Sequence, residues 1–500
     1  MSDHVDVLVI GAGLSGIGVA CRLSRQCPDK TYALLERRTT IGGTWDLFRY
    51  PGVRSDSDMY TFGYSFRPWL DTRVLADGPS IRDYVEQTAA EYGVVDQIRF
   101  GQKVTSASWS SADQRWTVEA TDEASGETQR ITADVLVPCT GYYNYDTGYR
   151  PDFPGEQRFT GRLVHPQHWP ADLDYTGKSV VIIGSGATAV TLVPAMAEDA
   201  AHVTMLQRSP TYIVSLPARD KIAEAMLRVL PEGVVYKLAR TRNIAVQRAI
   251  YALARARPNV VRDFVLTSAS KQLGGMSDLA NFTPKYNPWD QRLCVVPDGD
   301  LFAAIRSGAA DVVTDRITTF TETGIELESG ARLDADIIVT ATGLDVQIFG
   351  GMSVEIDGEP FVANHKLTYK GVLVEDLPNA ALIFGYTNAS WTLKADIAAV
   401  YLCRLINHMD AHGYRTFVAR GADAERADGS ILGSLNAGYV RRGNDRLPRQ
   451  GVRGPWKVRN DYLRDAPALT RGRIEDRVLR FDEPRMARRA TPSPARRATA

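Results

Sequence analysis

An α/β fold with two parallel-sheet domains is predicted from two glycine-rich turns, each placed between a short apolar strand and a helix. The turns occupy residues 11–16 and 184–189. A helix-patterned stretch over residues 219–274 predicts a helical insertion as well. Since 500 residues are too many for one ordinary core, two or three packed domains are expected.

The first β-α-β unit starts in the apolar run 5–10, continues as a helical pattern through Leu23 and returns as the strand 32–35. Its turn fits the G-x-G-x-x-G fingerprint. Gly11 permits a tight turn, Gly13 lets a pyrophosphate approach the backbone, and Gly16 lets helix and strand pack closely. The pyrophosphate would sit on the free N–H groups of the helix N-terminus. Glu36, at the end of the second strand, can accept hydrogen bonds from a ribose diol, which predicts a dinucleotide without a 2′-phosphate.

The second unit comprises the strand 180–183, a helix over 187–196 and the strand 203–206. No carboxylate follows its second strand, where the chain reads Gln207-Arg208-Ser209. A guanidinium there would bind a 2′-phosphate in a forked, charge-assisted contact, whereas a carboxylate would repel it. The second site therefore favours NADPH, and the first is left for FAD. The residues expected at this NADPH site are Gly184, Ser185, Gly186, Ala187, Thr188, Ala189, Gln207 and Arg208.

Other segments complete the two domains. The alternating stretches 103–109 and 115–119 predict an antiparallel ribbon, and the apolar strands within 135–141 and 337–343 predict the last strand of each nucleotide-binding half. The fold class is thus α/β, with two Rossmann-like dinucleotide-binding domains and a helical insertion in the NADPH domain. The expected segments are 1–145 and 371–483 for the FAD-binding domain, 146–215 and 289–370 for the NADPH-binding domain, 216–288 for the insertion and 484–500 for a disordered basic tail.

Charge and cysteine content narrow the function. The 59 basic residues balance 59 acidic ones, so no global field favours nucleic acid. The five cysteines form no C-x-x-C pair and no metal-ligand spacing, which argues against a flavin disulfide reductase and suits a reducing cytosol. We expect no signal peptide and no membrane span, and hence a cytoplasmic protein. The oligomeric state is not indicated.

The insertion is locally basic, with 11 Lys/Arg against 4 Asp/Glu over residues 219–274. The main interpretation is a helical layer with a solvated basic face. Contact with a membrane surface is the alternative.

Two further motifs resemble the Baeyer–Villiger flavin monooxygenases, over roughly residues 5–481. Residues 159–170, FTGRLVHPQHWP, resemble that family's F-x-G-x-x-x-H-x-x-x-W-P linker, and residues 42–56 resemble its G-G-x-W-x-x-x-x-Y-P-G-x-x-x-D motif. Flavin monooxygenases that act on amines and sulfides generally lack the Trp-Pro ending and carry Asn at the position of Asp56. The resemblance is strongest to the mycobacterial group related to the ethionamide-activating monooxygenase.

The resemblance implies an enzyme that uses NADPH and O₂ to convert ketones to esters or lactones through a C4a-peroxyflavin, and that also oxidises sulfides. It implies Arg292 and Asp56 as the catalytic pair, Arg292 supplying a fixed positive charge and Asp56 holding it near the flavin. Where many members carry Lys before this arginine, this chain has Gln291, which leaves Arg208 as the main contact for the 2′-phosphate. Besides Gly11, Gly13, Gly16, Glu36 and Asp56, the FAD contacts it implies are Ser15, Gly43, Thr44, Trp45 and Val104, and Arg54 is placed near NADP.

Within the linker, we interpret His165 and Trp169 as residues that hold the two domains in register, His165 by hydrogen bonding to the backbone. A helix starting near Thr392 is expected to direct its N-terminus at the flavin. Two alternatives stay open: a flavin-containing S/N monooxygenase with little ketone activity, and an NADPH sensor without oxygenase activity. The substrate itself cannot be derived from the sequence.

Overall fold

The computed structural model describes residues 3–275, 279–291, 293–421, 424–432 and 437–482, and every structural statement concerns these residues. Its helices are α1 Leu14–Gln26, α2 Thr44–Leu47, α3 Met59–Phe62, α4 Gly78–Glu91, α5 Ala187–Met196, α6 Lys221–Leu227, α7 Glu232–Ala256, α8 Pro258–Gln272, α9 Asp300–Arg306, α10 Trp391–His412, α11 Gly438–Gly443 and α12 Tyr462–Thr470. Its strands are β1 Asp3–Ile10, β2 Tyr32–Leu35, β3 Ile98–Arg99, β4 Gln102–Ser110, β5 Arg115–Asp122, β6 Thr128–Pro138, β7 Tyr143–Gly148, β8 Arg162–Val164, β9 Ser179–Ile183, β10 His202–Gln207, β11 Ile213–Leu216, β12 Cys294–Pro297, β13 Ala310–Thr314, β14 Ile317–Phe320, β15 Gly324–Leu327, β16 Arg332–Asp334, β17 Ile337–Thr340, β18 Leu344–Val346, β19 Ser353–Ile356, β20 Glu359–Pro360, β21 Thr368–Tyr369, β22 Leu373–Val374, β23 Phe417–Ala419, β24 Arg426–Ser430, β25 Arg449–Gly451 and β26 Leu479–Phe481.

The first sheet has the strand order β20-β19-β4-β5-β6-β1-β2-β3. Its central strand β1 pairs in parallel with both β2 and β6. Successive side chains of β1 enter two different cores: Val7 and Val9 pack with α1 and α10, whereas Leu8 and Ile10 pack with the β4–β6 ribbon. Both faces of the second half of β1 are therefore covered, which explains why residues 7–10 are all apolar instead of alternating.

The second sheet is entirely parallel, in the order β13-β10-β9-β17-β8. Val180 and Ile182 of β9 pack with α5 and α9, and Val181 and Ile183 pack with the small antiparallel sheet β14–β16. Each sheet thus carries one β-α-β unit at its centre. The predicted α/β class with two Rossmann-like halves is confirmed, as is the antiparallel pairing of β4 with β5.

The insertion is helical, formed by α6, α7 and α8. Its long helix α7 packs on residues 60–64 of the first domain, because Tyr236 and Arg240 donate hydrogen bonds to backbone carbonyls there. At its far end, α8 contacts β11 of the second domain. The insertion therefore connects the two domains. None of the described helices combines the length and the hydropathy that crossing a bilayer requires.

The chain returns to the first sheet earlier than expected. β19 pairs in parallel with β4, so Ser353–Ile356 already belong to that sheet, whereas the expected segment began at residue 371. These strands are short and lie at the sheet edge, where the hydrophobic pattern that locates a central strand is weak. The expected basic tail, residues 484–500, lies outside the described residues.

Candidate active site

A cavity of about 1110 Å³ opens between the two glycine-rich turns. Both turns, the G-G-x-W loop and the ends of β6 and β17 contribute to its wall. The predicted site residues that line it are Gly11, Gly13, Ser15, Glu36, Gly43, Thr44, Trp45, Arg54, Asp56, Val104, Gly184, Ser185, Gly186, Ala187, Thr188 and Arg208. Two sites derived independently from the sequence therefore share a single cavity.

The first turn is close-packed around its glycines. Gly11 has φ +102°, and a Cβ there would lie 2.9 Å from the carbonyl oxygen of Cys139 at the end of β6. A Cβ on Gly16 would overlap the carbonyl oxygen of Gly11, so Gly16 allows α1 to approach β1 as predicted. Gly16 is itself buried and does not line the cavity.

The G-G-x-W loop folds over this turn. Gly43, with φ +58°, lies against Gly13 so closely that a Cβ on Gly43 would stand 2.9 Å from the Cα of Gly13. The next residue, Thr44, shares a hydrogen bond of 2.5 Å with the hydroxyl of Tyr143. The absence of side chains at both positions therefore lets the two backbones pack against each other and holds the G-G-x-W loop on the first turn.

Glu36 ends β2 at the cavity wall and is buried. Its carboxylate accepts hydrogen bonds from the backbone N–H groups of Ala12, at 2.6 Å, and Arg38, at 2.8 Å. Burial raises the pKa of this carboxyl group, and the two N–H groups oppose that rise. The carboxylate is thereby fixed in orientation and keeps acceptor capacity for a ligand hydroxyl.

The second turn repeats this geometry at β9. Gly184 has φ +143°, and a Cβ there would overlap the carbonyl oxygen of Ala341 at the end of β17. Ser185 donates a hydrogen bond to the carbonyl of Ser209 at 3.0 Å. A Cβ on Gly186 would meet nothing within 4 Å, so open space lies directly above this turn.

Two residues assigned to the second site lie behind the cavity wall. Ala189 is fully buried in the core. Gln207 is also buried, and its amide donates to the carbonyl of Asn281 at 2.7 Å and to the hydroxyl of Thr314 at 2.9 Å. These contacts hold the end of β10 in place, so Gln207 supports the position of Arg208 from behind.

Arg208 is exposed at the cavity edge. A second arginine, Arg442 of α11, lies close enough for the two charges to interact, and its guanidinium stacks over the Tyr149 ring at 3.4 Å. Arg442 and Tyr149 also line the cavity. Sequence reasoning missed this pair, because α11 lies more than two hundred positions along the chain from Arg208.

The loop after the G-G-x-W motif joins the two domains. Arg54 forms an ion pair with Asp300 of α9, at 2.6 Å between Nη1 and Oδ2. Gly52, with φ +73°, packs against Thr191 and Ala195 of α5. Asp56 lies at the cavity between these contacts. Gln291 also lines the cavity, whereas Arg292 lies outside the described residues.

The F-x-G-x-x-x-H-x-x-x-W-P linker forms β8, at the edge of the second sheet, and the turn that follows it. His165 Nδ1 accepts a hydrogen bond from the backbone N–H of Gln167 at 3.2 Å, which is the kind of contact expected of it. Burial lowers the pKa of His165. Gln167 donates to the carbonyl of Asn144 at 2.8 Å, and His168 contacts the carbonyl of Asp146 at 2.9 Å. The linker is therefore tied to β7, whose first residue Tyr143 lines the cavity.

Replacement of Trp169 by alanine is expected to slow product formation several-fold without loss of bound flavin. Trp169 is half-buried against the core of the second domain, so its removal loosens the linker and leaves the first glycine turn intact. Steady-state turnover and the flavin absorbance of the purified variant check this. Trp169→Phe, which retains an aromatic ring at this position, should behave like wild type; loss of flavin in Trp169→Ala would instead show a role in folding.

Helix α10 directs its N-terminus towards the cavity. It begins at Trp391, one residue before the predicted start at Thr392. The Trp391 indole N–H donates to the hydroxyl of Ser15 at 3.0 Å, and both residues line the cavity. This contact joins the ends of two helices 376 positions apart, and the sequence carries no local signal for it.

Known proteins are similar to this chain over most of its length. Residues 4–384 match the family model of flavin-binding monooxygenase-like proteins. The chain is 59% identical over 485 residues to the putative FAD-containing monooxygenase MymA of Mycobacterium tuberculosis H37Rv, covering 96% of this chain and 98% of MymA. It is 54% identical to the probable FAD-binding monooxygenase AlmA of Acinetobacter baylyi, with 97% of each chain covered, and 52% identical to the FAD-containing monooxygenase EthA of M. tuberculosis H37Rv, with 96% and 98% covered.

Among solved structures, an oxidised steroid monooxygenase bound to NADP is similar with a TM-score of 0.74 and 25% identity, covering 96% of this chain and all of that one. The open structure of cyclohexanone monooxygenase has a TM-score of 0.72 at 19% identity, with 96% and 100% covered, and shows likeness of fold alone. The family resemblance carried by the two motifs is thereby confirmed. The chain belongs to the flavin-binding monooxygenase-like family.

Proposed function

We propose that this protein is an FAD-containing monooxygenase of the Baeyer–Villiger type, which uses NADPH and O₂ to convert ketones to esters or lactones and also oxidises sulfides. The observation that carries the proposal is the single cavity shared by two glycine-rich turns. Glu36 follows the second strand of the first β-α-β unit, and Arg208 follows the second strand of the other unit. A ribose diol fits the first of these residues and a 2′-phosphate fits the second, so the two sites are built for different nucleotides.

The residues of the first turn fit FAD. The hydroxyl oxygen of Thr140 is buried at the cavity without a hydrogen-bond partner among the described residues. Glu36 would hold the ribose. Ser15, Thr44, Trp45, Asp56 and Val104 line the same cavity and complete the proposed FAD contacts.

The second turn fits NADPH. Open space above Gly186 leaves room for a pyrophosphate at the N-terminus of α5, where the first N–H groups of the helix are unpaired. Arg208 and the nearby Arg442 provide positive charge for a 2′-phosphate. Arg54, held by Asp300, lies on the wall between the two turns.

Substitution Gly186→Ala is expected to raise the KM for NADPH about tenfold, which corresponds to ~1.4 kcal/mol of binding free energy. Gly186 has φ −81° and open space around its Cβ position, so alanine fits the folded protein and interferes only with a bound pyrophosphate. Steady-state kinetics and the melting temperature, measured on the same preparation, check this.

The matched control is Gly233→Ala in α7, where a Cβ likewise meets nothing within 4 Å. It should leave the KM unchanged and stabilise the helix by up to ~1 kcal/mol. An unchanged KM in Gly186→Ala would contradict the placement of NADPH on this turn.

The chemistry that NADPH and FAD supply when bound is hydride transfer and activation of O₂. The chain's own contribution is charge. We assign Arg292 the role of a permanent cation near the reacting oxygen, and Asp56, on the cavity wall, the role of holding that guanidinium in place.

A panel of ketones and thioethers tests the proposal. Each compound is incubated with the enzyme, NADPH and air, and the products are analysed for esters, lactones and sulfoxides. Esters or lactones from at least one ketone class are the expected result. Sulfoxides without any ester would favour the S/N monooxygenase alternative, and NADPH binding without any oxygenated product would favour the sensor.

A further inference from the structure

Exposed apolar side chains are concentrated on the helical insertion. Of the fifteen large hydrophobic residues that are exposed in the described part of the chain, ten lie between residues 222 and 264. Val229 is 80% exposed and Phe264 is 71% exposed. Scattered exposed leucines and valines are ordinary on a protein surface, whereas a large apolar patch marks an interaction site.

The inward side of the long helix α7 carries polar side chains beside the buried residues Val235, Ala239 and Ala254. Tyr236, Arg240, Asn243 and Gln247 recur at the spacing of one helical face. Tyr236 donates to the carbonyl of Tyr64 at 2.8 Å and Arg240 to that of Tyr60 at 2.7 Å. Asn243 and Gln247 both donate to the carboxylate of Asp58, at 2.8 and 2.6 Å. These bonds hold α7 firmly on the first domain.

The outward side of α7 is largely apolar, and Lys237, Thr241, Arg248 and Arg255 are exposed beside the apolar residues. The exposed apolar residues include Val234, Leu238, Ala245, Val246, Ala249, Ile250, Ala252 and Leu253. They form an apolar stripe along a helix of 25 residues, which is about 37 Å long. In a water-exposed helix the apolar residues face the protein core, whereas α7 carries apolar residues on its outward side as well. The expected solvated basic face is therefore, for much of its extent, an apolar face.

Positive charge is present on the same helices. Lys221 of α6 and Arg228 at its end, and Lys237 of α7 and Arg257 at its end, are exposed, and none of them has an ion-pair partner within the described ranges. The whole chain has a net charge of zero, so the excess of 11 basic over 4 acidic residues in 219–274 gives this side of the molecule a local positive field.

The positive charge distinguishes between two occupants of this surface, a second copy of the chain and a lipid bilayer. A symmetric contact between two copies would place the same basic residues on both sides of the interface, where like charges repel. An anionic lipid surface offers both an apolar layer for the stripe and negative headgroups for the basic residues. We propose that α6–α8 form a membrane-contact surface, with the apolar stripe of α7 lying in the interface of an anionic bilayer.

This surface adjoins the cavity. Tyr251 of α7 packs edge-on against Trp289, with 6.1 Å between ring centroids, and Arg255 forms an ion pair with Asp290 at 2.7 Å. The next residue along the chain, Gln291, lines the cavity. The membrane-contact surface thus lies beside a segment of the cavity wall.

Sedimentation of the holoenzyme with vesicles tests the proposal. Vesicles of phosphatidylcholine mixed with phosphatidylglycerol should carry the protein into the pellet at low salt, and pure phosphatidylcholine should carry much less. The triple variant Val246→Glu, Ile250→Glu, Leu253→Glu should bind the mixed vesicles more than tenfold more weakly. Lys221→Ala, Arg228→Ala and Lys237→Ala together should weaken binding by roughly fivefold per charge removed.

The matched control is Leu70→Glu, Val362→Glu, Leu463→Glu, which changes three hydrophobic residues of similar exposure elsewhere on the molecule. It should bind vesicles like wild type, and flavin absorbance should show that all variants are folded. Wild-type protein that stays in the supernatant with anionic vesicles at low salt would overturn the proposal. An equal loss of vesicle binding in the control variant would also overturn the proposal. So would a dimer, observed by sedimentation velocity, that the triple α7 variant converts to a monomer.

Discussion

Ester formation is expected to disappear in Arg292→Ala while NADPH continues to be consumed and hydrogen peroxide is released. Attack on a ketone carbonyl needs an oxygen nucleophile that carries negative charge, and a nearby guanidinium stabilises that charge. Removing one preorganised partner of this kind from an enclosed site typically costs ~10²–10³ in rate. Flavin reduction requires only that the nicotinamide reach the flavin, so it should be largely retained. Sulfoxidation uses an electrophilic oxygen and should decrease less than ester formation.

Stopped-flow reduction and product analysis on one enzyme preparation separate the two half-reactions. Arg130→Ala is the matched control, because it removes an exposed guanidinium that pairs with Glu119 and does not line the cavity. That variant should form ester at close to the wild-type rate. Arg292→Ala with wild-type ester formation would mean that Arg292 is not the catalytic arginine.

Arg208→Ala is expected to weaken the use of NADPH by roughly ten- to hundredfold, with NADH little changed. A hydrogen bond between charged groups contributes roughly 1.5–3 kcal/mol, and each ~1.4 kcal/mol is tenfold in affinity. Arg208 is exposed at the cavity edge, so its removal should not disturb folding. The measurement is kcat/KM for NADPH and for NADH in parallel. The nearby Arg442 should retain part of the preference.

Arg332→Ala serves as the control for this variant. Arg332 belongs to the same domain as Arg208, is largely exposed and does not line the cavity. Its replacement should therefore leave kcat/KM unchanged for both NADPH and NADH. If the wild-type enzyme used NADPH and NADH equally well, the assignment of Arg208 to the 2′-phosphate would be incorrect.

The two β-α-β units could be predicted because their signals are local. Each unit is marked in the sequence by a run of apolar residues, a glycine-rich turn and a helical pattern that follows directly. In the structure, the first glycine of each turn, Gly11 or Gly184, has a positive φ. Alternate residues of β1 and β9 are buried in different cores, because each sheet is covered on both faces.

Contacts between distant segments could not be predicted in the same way. The hydrogen bond between Trp391 and Ser15 and the stacking of Arg442 on Tyr149 depend on tertiary packing, and no pattern within either segment indicates them. Gln207 gives a further example: its place in a motif predicts a ligand contact, and the structure shows its buried amide bonded to Asn281 and Thr314. Membership of a motif does not show which way a side chain points.

The insertion shows why composition alone was insufficient. An excess of basic residues in 219–274 is compatible with a solvated face, but the count does not say which residues face the first domain. Only the packing of α7 reveals that Arg240, Asn243 and Gln247 face inward and that Val246, Ile250 and Leu253 face outward.

Turnover of a ketone under ¹⁸O₂ tests whether both nucleotides serve one oxygen-inserting site. The expected product is an ester or lactone that carries one atom of ¹⁸O per molecule, with one NADPH consumed for each product formed. The inserted atom should carry no label when the heavy isotope is supplied as water. An ester without label from O₂, or a complete lack of NADPH-dependent oxygenation across the ketone and thioether panel, would contradict this expectation.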